Sequence, residues 1–465
     1  MNRLFLYSGF LFILILIFDA YDRDYNQPKV NTLSQENNIA QGEPKGPPTA
    51  GVDDNISLKS AKNVRDIQTL ENNKLFVEYD AKSGELLFAK LKNYPVSLGS
   101  DDKIVILDYD SRRYTAASSI QVRDQKISPT YSIEESSIDK VILSSQSLGN
   151  VSLTKEIKLI DDSHQISVKN IVRNNGNSDI YVRNYEVISR DNNSSASIML
   201  PTYTGSAYYD IEDKFSKISF DDILENDQPI NAQESWISMI EHYFFSAWLP
   251  TTSSTKTIYT NHDQGIYTIG STSKYNLINP GNSYTFDSLM FVGPKLQSEI
   301  SDLAEGLDLT VDYGILTFLS APLFWILEII HSVFGNWGMA IIILTILIKA
   351  VFFKLSETSY RSMAQMKKLN PRMQALKERY SEDKKKFSEA LMRMYKEEKV
   401  NPLGGCLPIL IQIPVFIALY WVLVESVEMR HAPFVGWIHD LASADPYFIL
   451  PIAMGISMFI QQKLN

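Results

Sequence analysis

An apolar run holding a single cation, GNWGMAIIILTILIKAVFFKL from Gly335 to Leu355, limits what this chain can fold into. From Trp337 to Phe353 it is almost continuously apolar, and at roughly 1.5 Å of rise per residue such a helix approaches the hydrocarbon thickness of a bilayer. Trp337 suits an interfacial aromatic at one end, and Lys354 a basic flank at the other. Inside the run stands Lys349, one turn past Thr345, so both project from one face. A lysine in a spanning helix costs roughly 2.5–3.5 kcal/mol on insertion scales, which marks it as a functional candidate. Lys349 is also close in sequence to Lys354, so an ammonium that merely snorkels to the nearby interface is the opposing reading. The helix alone leaves both open.

The remaining sequence divides by charge. The net charge of −10 hides a polar, acidic region from Asp19 to about Val311 and a basic one after Lys354. Cys406 is the single cysteine, so no intramolecular disulfide is available to the large N-terminal part.

Residues 1–20 carry Arg3 and an apolar run from Leu4 to Phe18. No small-x-small site follows at Phe18-Asp19-Ala20-Tyr21, which favours an uncleaved signal-anchor helix over a signal peptide. Residues 21–57 are Asn, Gln, Pro, Gly and charge with almost no apolar periodicity, the composition of a flexible linker. From 58 to 309 the pattern becomes short runs of period two: KLFVEYD (Lys74–Asp80), KIVILDY (Lys103–Tyr109), KVILSSQ (Lys140–Gln146), HQISVKNIVRN (His164–Asn174) and DIYVRNYEVIS (Asp179–Ser189). Turn signals such as Lys82-Ser83-Gly84, Asn175-Gly176 and Pro280-Gly281 separate them. Many strands at this spacing predict a large β-sandwich.

Residues 310–334 are apolar but interrupted by Pro322, Glu328 and His331, a pattern that predicts an amphipathic helix lying along the interface. Membrane helix 2 follows over 335–355. In 356–405, Met363, Met366, Leu369, Met373, Leu376 and Tyr380 recur at spacings of three and four, as do Phe387, Leu391 and Met394 beyond Ser381-Glu382-Asp383. Two amphipathic helices in a hairpin are expected, with the methionines either as its core or as an adaptable binding surface. Residues 406–465 hold two further apolar runs, Leu407–Val424 and Tyr447–Ile460. Between Lys354 and Gly405 there are 13 Lys/Arg against 7 Asp/Glu, which makes that loop cytoplasmic by the positive-inside rule and the β-domain extracytoplasmic.

The stretch NPLGGCLPILIQIPVFIALYWVLVESVEMRHAPFVGWIHDLASADPYFILPI, Asn401 to Ile452, resembles the YidC/Oxa membrane-protein insertase family. The Lys349 helix, the basic hairpin and MYKEEKVNPLGGC (Met394–Cys406) resemble it in the same order, and the β-domain behind one anchor resembles the Gram-negative branch. The resemblance implies an insertase and chaperone of the bacterial inner membrane, multi-pass, with its large domain in the periplasm. It implies no nucleotide, cofactor or metal and no catalytic residue. It implies a hydrophilic groove open to cytoplasm and lipid, in which a positive residue attracts acidic or polar parts of a substrate. The family residue is usually Arg; the matching position here is Lys349, which keeps the charge without the planar fork. Thr345 matches a polar groove position, and Gln412, Ile413 and Phe416 match positions that face a passing substrate helix. Gln412 otherwise reads as an interhelical hydrogen bond, and both readings stand. Asn401–Gly405 reads as a structural helix stop. Nascent integral membrane proteins, the Sec translocon, the lipid bilayer and, through the hairpin, the ribosome and a targeting receptor are the implied partners. The resemblance implies two membrane helices beyond the fourth apolar run, so the sequence is either a fragment of a longer protein, the favoured expectation, or a truncated gene product.

Two other function classes fit parts of the sequence less well. A membrane-anchored periplasmic carbohydrate-active enzyme would draw on Tyr203, Tyr208 and Tyr209, on the Trp236–Trp248 stretch and on Asp210, Glu212 and Asp213. Such aromatics are more often sandwich core, and His164, His242, His262, His331, His431 and His439 show no metal-ligand spacing. A transporter is disfavoured by few spans, one intramembrane charge and no pair of interrupted helices.

Overall fold

The computed structural model describes residues 65–123, 127–192, 202–225, 229–251, 255–381, 383–398, 400 and 407–464. The expected anchor (1–20), linker (21–57) and helix stop (Asn401–Gly405) lie outside them.

Each of the five quoted period-two runs is a strand, and the alternation appears directly as burial. In Val151–Leu159 (VSLTKEIKL), Val151, Leu153, Lys155, Ile157 and Leu159 are buried and their neighbours are less so. The strands form two antiparallel sheets. One has ten strands, running from Ile67–Glu71 through Leu75–Asp80, Leu86–Pro95, Thr115–Val122, Ile180–Asp191, Ile266–Ser273 and Thr255–Asp263 to Ile230–Gln233. The other has nine, with Ser283–Pro294 at its centre between Phe244–Leu249 and Gln165–Asn174. Their inner faces share one apolar core, with Leu75, Val77, Leu107 and Ile188 from the first and Val141, Leu153, Ile166 and Met290 from the second.

Within that core lies a hydrogen-bonded polar network. Glu186 accepts from Lys256 Nζ at 2.7 Å, Ser271 Oγ at 2.9 Å and Ser288 Oγ at 2.7 Å. Asn184 donates to Ser288 Oγ at 3.0 Å, and Asn170 donates to Ser118 Oγ at 2.8 Å. Asn170 and Ser288 come from the nine-stranded sheet and the others from the ten-stranded one, so these bonds join the two. Lys155 Nζ donates nearby to the Ser118 carbonyl at 2.6 Å, and burial pulls its ammonium down to about 8.

The aromatics of the enzyme reading are framework. Trp236 and Trp248 are fully buried, Tyr209 stacks on Trp236 at 6.0 Å, and Asp210 is buried in a turn where it accepts from the Asp213 N–H. Glu212 and Asp213 are exposed.

The outer face of the nine-stranded sheet is apolar as well. Tyr209, Trp236, Phe245 and Phe291 pack there in one cluster with Ile300, Leu307, Tyr313 and buried residues of the C-terminal helices. The helices are α1 (Phe220–Glu225), α2 (Gln297–Ile300), α3 (Thr317–Phe334), α4 (Trp337–Val351), α5 (Phe353–Arg379), α6 (Lys384–Glu397), α7 (Leu407–Glu425) and α8 (Ile449–Leu464).

Helix α3 buries Ser320, Leu323, Phe324, Leu327 and Ile330, one face at helical spacing, against α4 and α7. Gly335, at φ 65°, ends it in the left-handed conformation that a residue with a Cβ adopts at a cost. Asn336 then caps α4 by accepting from the Met339 N–H at 2.9 Å. His331 and Trp337 stack across this corner at 3.9 Å.

One boundary moves. The helix foreseen over 335–355 stops at Val351; after Phe352 the chain turns by 62° and continues as α5, which carries Lys354. The turn falls where the apolar run gives way to charge, and it lets Phe352 pack into the apolar cluster while Phe353 stays exposed. The segment expected to lie along the interface over 310–334 is helical from Thr317 to Phe334, and by length and composition 314–334 also meets the requirement of a membrane span.

Helices α5 and α6 enclose a small core of Leu369, Met394 and Val400 with Met366, Met373, Leu376 and Leu391 around it. Most of the methionines are therefore core; Met363 and Met392 are exposed.

Candidate functional site

Helices α4 and α7 bring the sequence-designated residues to one region. Leu344 and Ile348 turn inward on α4, which leaves Lys349 on its exposed side. The Lys349 ammonium lies 4.9 Å from the centre of the Phe416 ring of α7, a cation–π contact between the two helices. Thr345, one turn earlier, donates its hydroxyl to the Ile341 carbonyl at 2.8 Å, a back-bond that satisfies it within its own helix.

Gln412 lies one turn before Phe416 on α7 and donates to Ser356 Oγ of α5 at 3.1 Å. The bend at Phe352 belongs to this contact, since it carries Ser356 away from the α4 axis. Ile413 is 43% exposed. Lys349 and Phe416 are thus brought together, Gln412 is tied to the neighbouring helix, and Ile413 and Thr345 add apolar and internally bonded surface.

Sequence reading missed a second polar group, where α7 ends against the sheets. His242 hydrogen-bonds the Val424 carbonyl at 3.0 Å, and Glu428 accepts from the Gln297 N–H at 3.4 Å. Arg430 donates to the carbonyls of Pro95 at 2.5 Å and Val96 at 2.8 Å, with its guanidinium 5.7 Å from the centre of the Phe244 ring. Lys295, only 1% exposed, lies close enough to Glu425 and Asp312 for their charges to act on it. Burial pushes the Glu428 carboxyl up to about 7 and pulls the His242 imidazole down to about 4. The available signal was local: Glu425, Glu428 and Arg430 crowd the end of an apolar run, where polar side chains need partners.

Comparison with known proteins agrees with this layout. Residues 68–326 match a family profile described as the YidC periplasmic domain, and residues 329–465 match one described as the 60Kd inner membrane protein. The membrane protein insertase YidC of Thioalkalivibrio sulfidiphilus is 42% identical over 99% of this chain and 88% of its own length. That of Nitrosococcus oceani is 40% identical over 100% of this chain and 89% of its own. Among solved structures, an active YidC insertase is similar at 17% identity, covering 85% of this chain and 83% of that one, with a TM-score of 0.33. A galactose mutarotase related enzyme from Lactobacillus acidophilus covers 49% of this chain and 97% of its own, at 9% identity and a TM-score of 0.36. The full-length relatives bear the name of an insertase rather than of an enzyme, and on their identity and the two matching profiles the chain belongs to the YidC family of membrane protein insertases.

Proposed function

We propose that this chain inserts integral membrane proteins into the bacterial inner membrane and assists their folding, with the Lys349 side of α4 and α7 as the surface a substrate meets. The observation that carries the reading is the Lys349 ammonium poised over Phe416 on an exposed helix face. Between helices, away from bulk water, one cation attracts an acidic segment far more strongly than it does in water. That attraction lowers the cost of drawing a short acidic tail across the bilayer, and no nucleotide is needed for it. Ile413 and Phe416 offer the apolar surface along which a nascent helix slides into lipid.

In this reading the sheet domain lies in the periplasm, and the basic segment 356–405, α5 with α6, is a cytoplasmic hairpin. Its 13 Lys/Arg from Lys354 to Gly405 suit contact with ribosomal RNA or a targeting receptor, and the apolar helices suit docking beside the Sec translocon.

The test is insertion in cells depleted of their own insertase, read by protease accessibility of a small substrate with an acidic translocated tail. Function with the parent and with Lys349→Arg, and failure with Lys349→Ala, is the expected result. Normal insertion by Lys349→Ala would leave Lys349 as a snorkelling side chain and remove the charge mechanism.

A further inference from the structure

The outer end of α7 is held by three separate parts of the sheet domain. Arg430 binds the Pro95 and Val96 carbonyls at the end of the strand Leu86–Pro95. His242, in the turn between Trp236–Ile240 and Phe244–Leu249, binds the Val424 carbonyl. The start of α2 binds Glu428 through the Gln297 N–H, while Gln297 also donates to the Tyr313 hydroxyl. All three grips fall within Val424–Arg430, the last two residues of the helix that carries Gln412, Ile413 and Phe416 and the five residues after it. The segment is itself buried: Glu425, Ser426, Val427 and Met429 are each at most 3% exposed. Three residues beyond Arg430 the chain meets α4, where Asn336, the cap of that helix, donates to the Pro433 and Phe434 carbonyls.

We propose that Val424–Arg430 is a clamp through which the sheet domain sets the position of α7 against α4, making Arg430 and His242 positioning residues for the Lys349–Phe416 face. The inference rests on the reading that this face receives the substrate. A helix anchored only by apolar packing slides and rotates at little cost, because apolar contacts are non-directional. Directional bonds to a strand end, a hairpin turn and a helix start of the sheet domain, three points apart in the chain, define one register for the end of α7.

The experiment uses the full chain in membranes with Cys406→Ser, and with Lys349→Cys and Phe416→Cys as reporters joined by a short bis-maleimide. Arg430→Ala and His242→Leu are expected to lower the bridging yield several-fold while the sheet domain keeps its resistance to trypsin; Arg430→Lys recovers part of the yield. In chains retaining Lys349 and Phe416, the same variants are expected to slow insertion. Unchanged bridging in both variants overturns the clamp. If Arg430→Ala destroys trypsin resistance, Glu428→Met, which keeps the length of the side chain and removes the acceptor of the Gln297 N–H, decides by the same yield. Lys349→Ala run alongside separates the two ideas, since normal insertion there sinks the charge mechanism while the bridging result still judges the clamp.

Discussion

The Lys349 ammonium and the Phe416 ring face each other at 4.9 Å across the gap between α4 and α7. Such a contact is worth roughly 0.5–2 kcal/mol depending on how dry it is, and it opposes the pull of Lys349 toward the interface. Phe416→Leu keeps the bulk and removes the ring quadrupole. Insertion of an acidic-tailed substrate is expected to fall about fivefold, some ~1 kcal/mol, whereas Phe416→Tyr stays near the parent. Protease protection of the tail measures it, and equal protection with Leu would show that the ring does not hold the cation.

Gln412 and Ser356 form a second pair, at 3.1 Å between α7 and α5. Interhelical bonds of this kind couple by about 0.6 kcal/mol on average. Gln412→Leu, Ser356→Ala and the double variant form a cycle in which the second change adds little to the first. Unfolding of the detergent-solubilised protein supplies the free energies. Full additivity would mean that Gln412 spends its amide elsewhere.

Gly338 on α4 lies so close to the Phe434 ring that an added Cβ would collide with it. Gly338→Ala therefore forces the 433–438 turn away from α4, at a cost of roughly 1–3 kcal/mol. Faster cleavage within 431–447 under limited proteolysis is the expected sign, and unchanged cleavage would show that the turn yields freely.

Glu428 and His242 give the junction opposite pH dependences. Burial raises Glu428 from 4.5 to about 7, so its native carboxyl holds a proton the unfolded chain has lost. Its contribution to stability is complete below pH 4.5 and is lost as pH rises through about 7. Burial lowers His242 from 6.5 to about 4, so its contribution is complete above pH 6.5 and is lost as pH falls through about 4. Glu428→Gln is expected to raise stability at pH 8 by roughly 1–3 kcal/mol and to change little at pH 4.5. His242→Gln is expected to flatten the acid side instead. Thermal midpoints at pH 4.5, 6.5 and 8 separate the two.

Much of the sheet domain was legible because period-two alternation is a local property that burial merely enforces: Val151–Leu159 reads the same in sequence and in section. Lys349 was legible because a cation in an apolar run is conspicuous, and the family resemblance pointed to Phe416 on a different helix. Ser356 was not, since its bond to Gln412 depends on a 62° turn that neither proline nor glycine announces. Arg430 and His242 were not, because their partners are main-chain carbonyls, whose positions no side-chain pattern encodes.

The polar bonds between Glu186, Asn184, Ser288, Asn170 and Ser118 give the sheet domain something its sequence otherwise lacks. Apolar faces tolerate sliding, and a chain with one cysteine has no covalent stitch to prevent it. A one-residue slip of the strand Ile180–Asp191 would turn Glu186 and Asn184 out of the core and leave Lys256, Ser271 and Ser288 buried without the carboxylate they donate to. The network works as a lock-and-ward between the sheets: it admits one alignment and penalises its neighbours, so fidelity of assembly is written in hydrogen bonds.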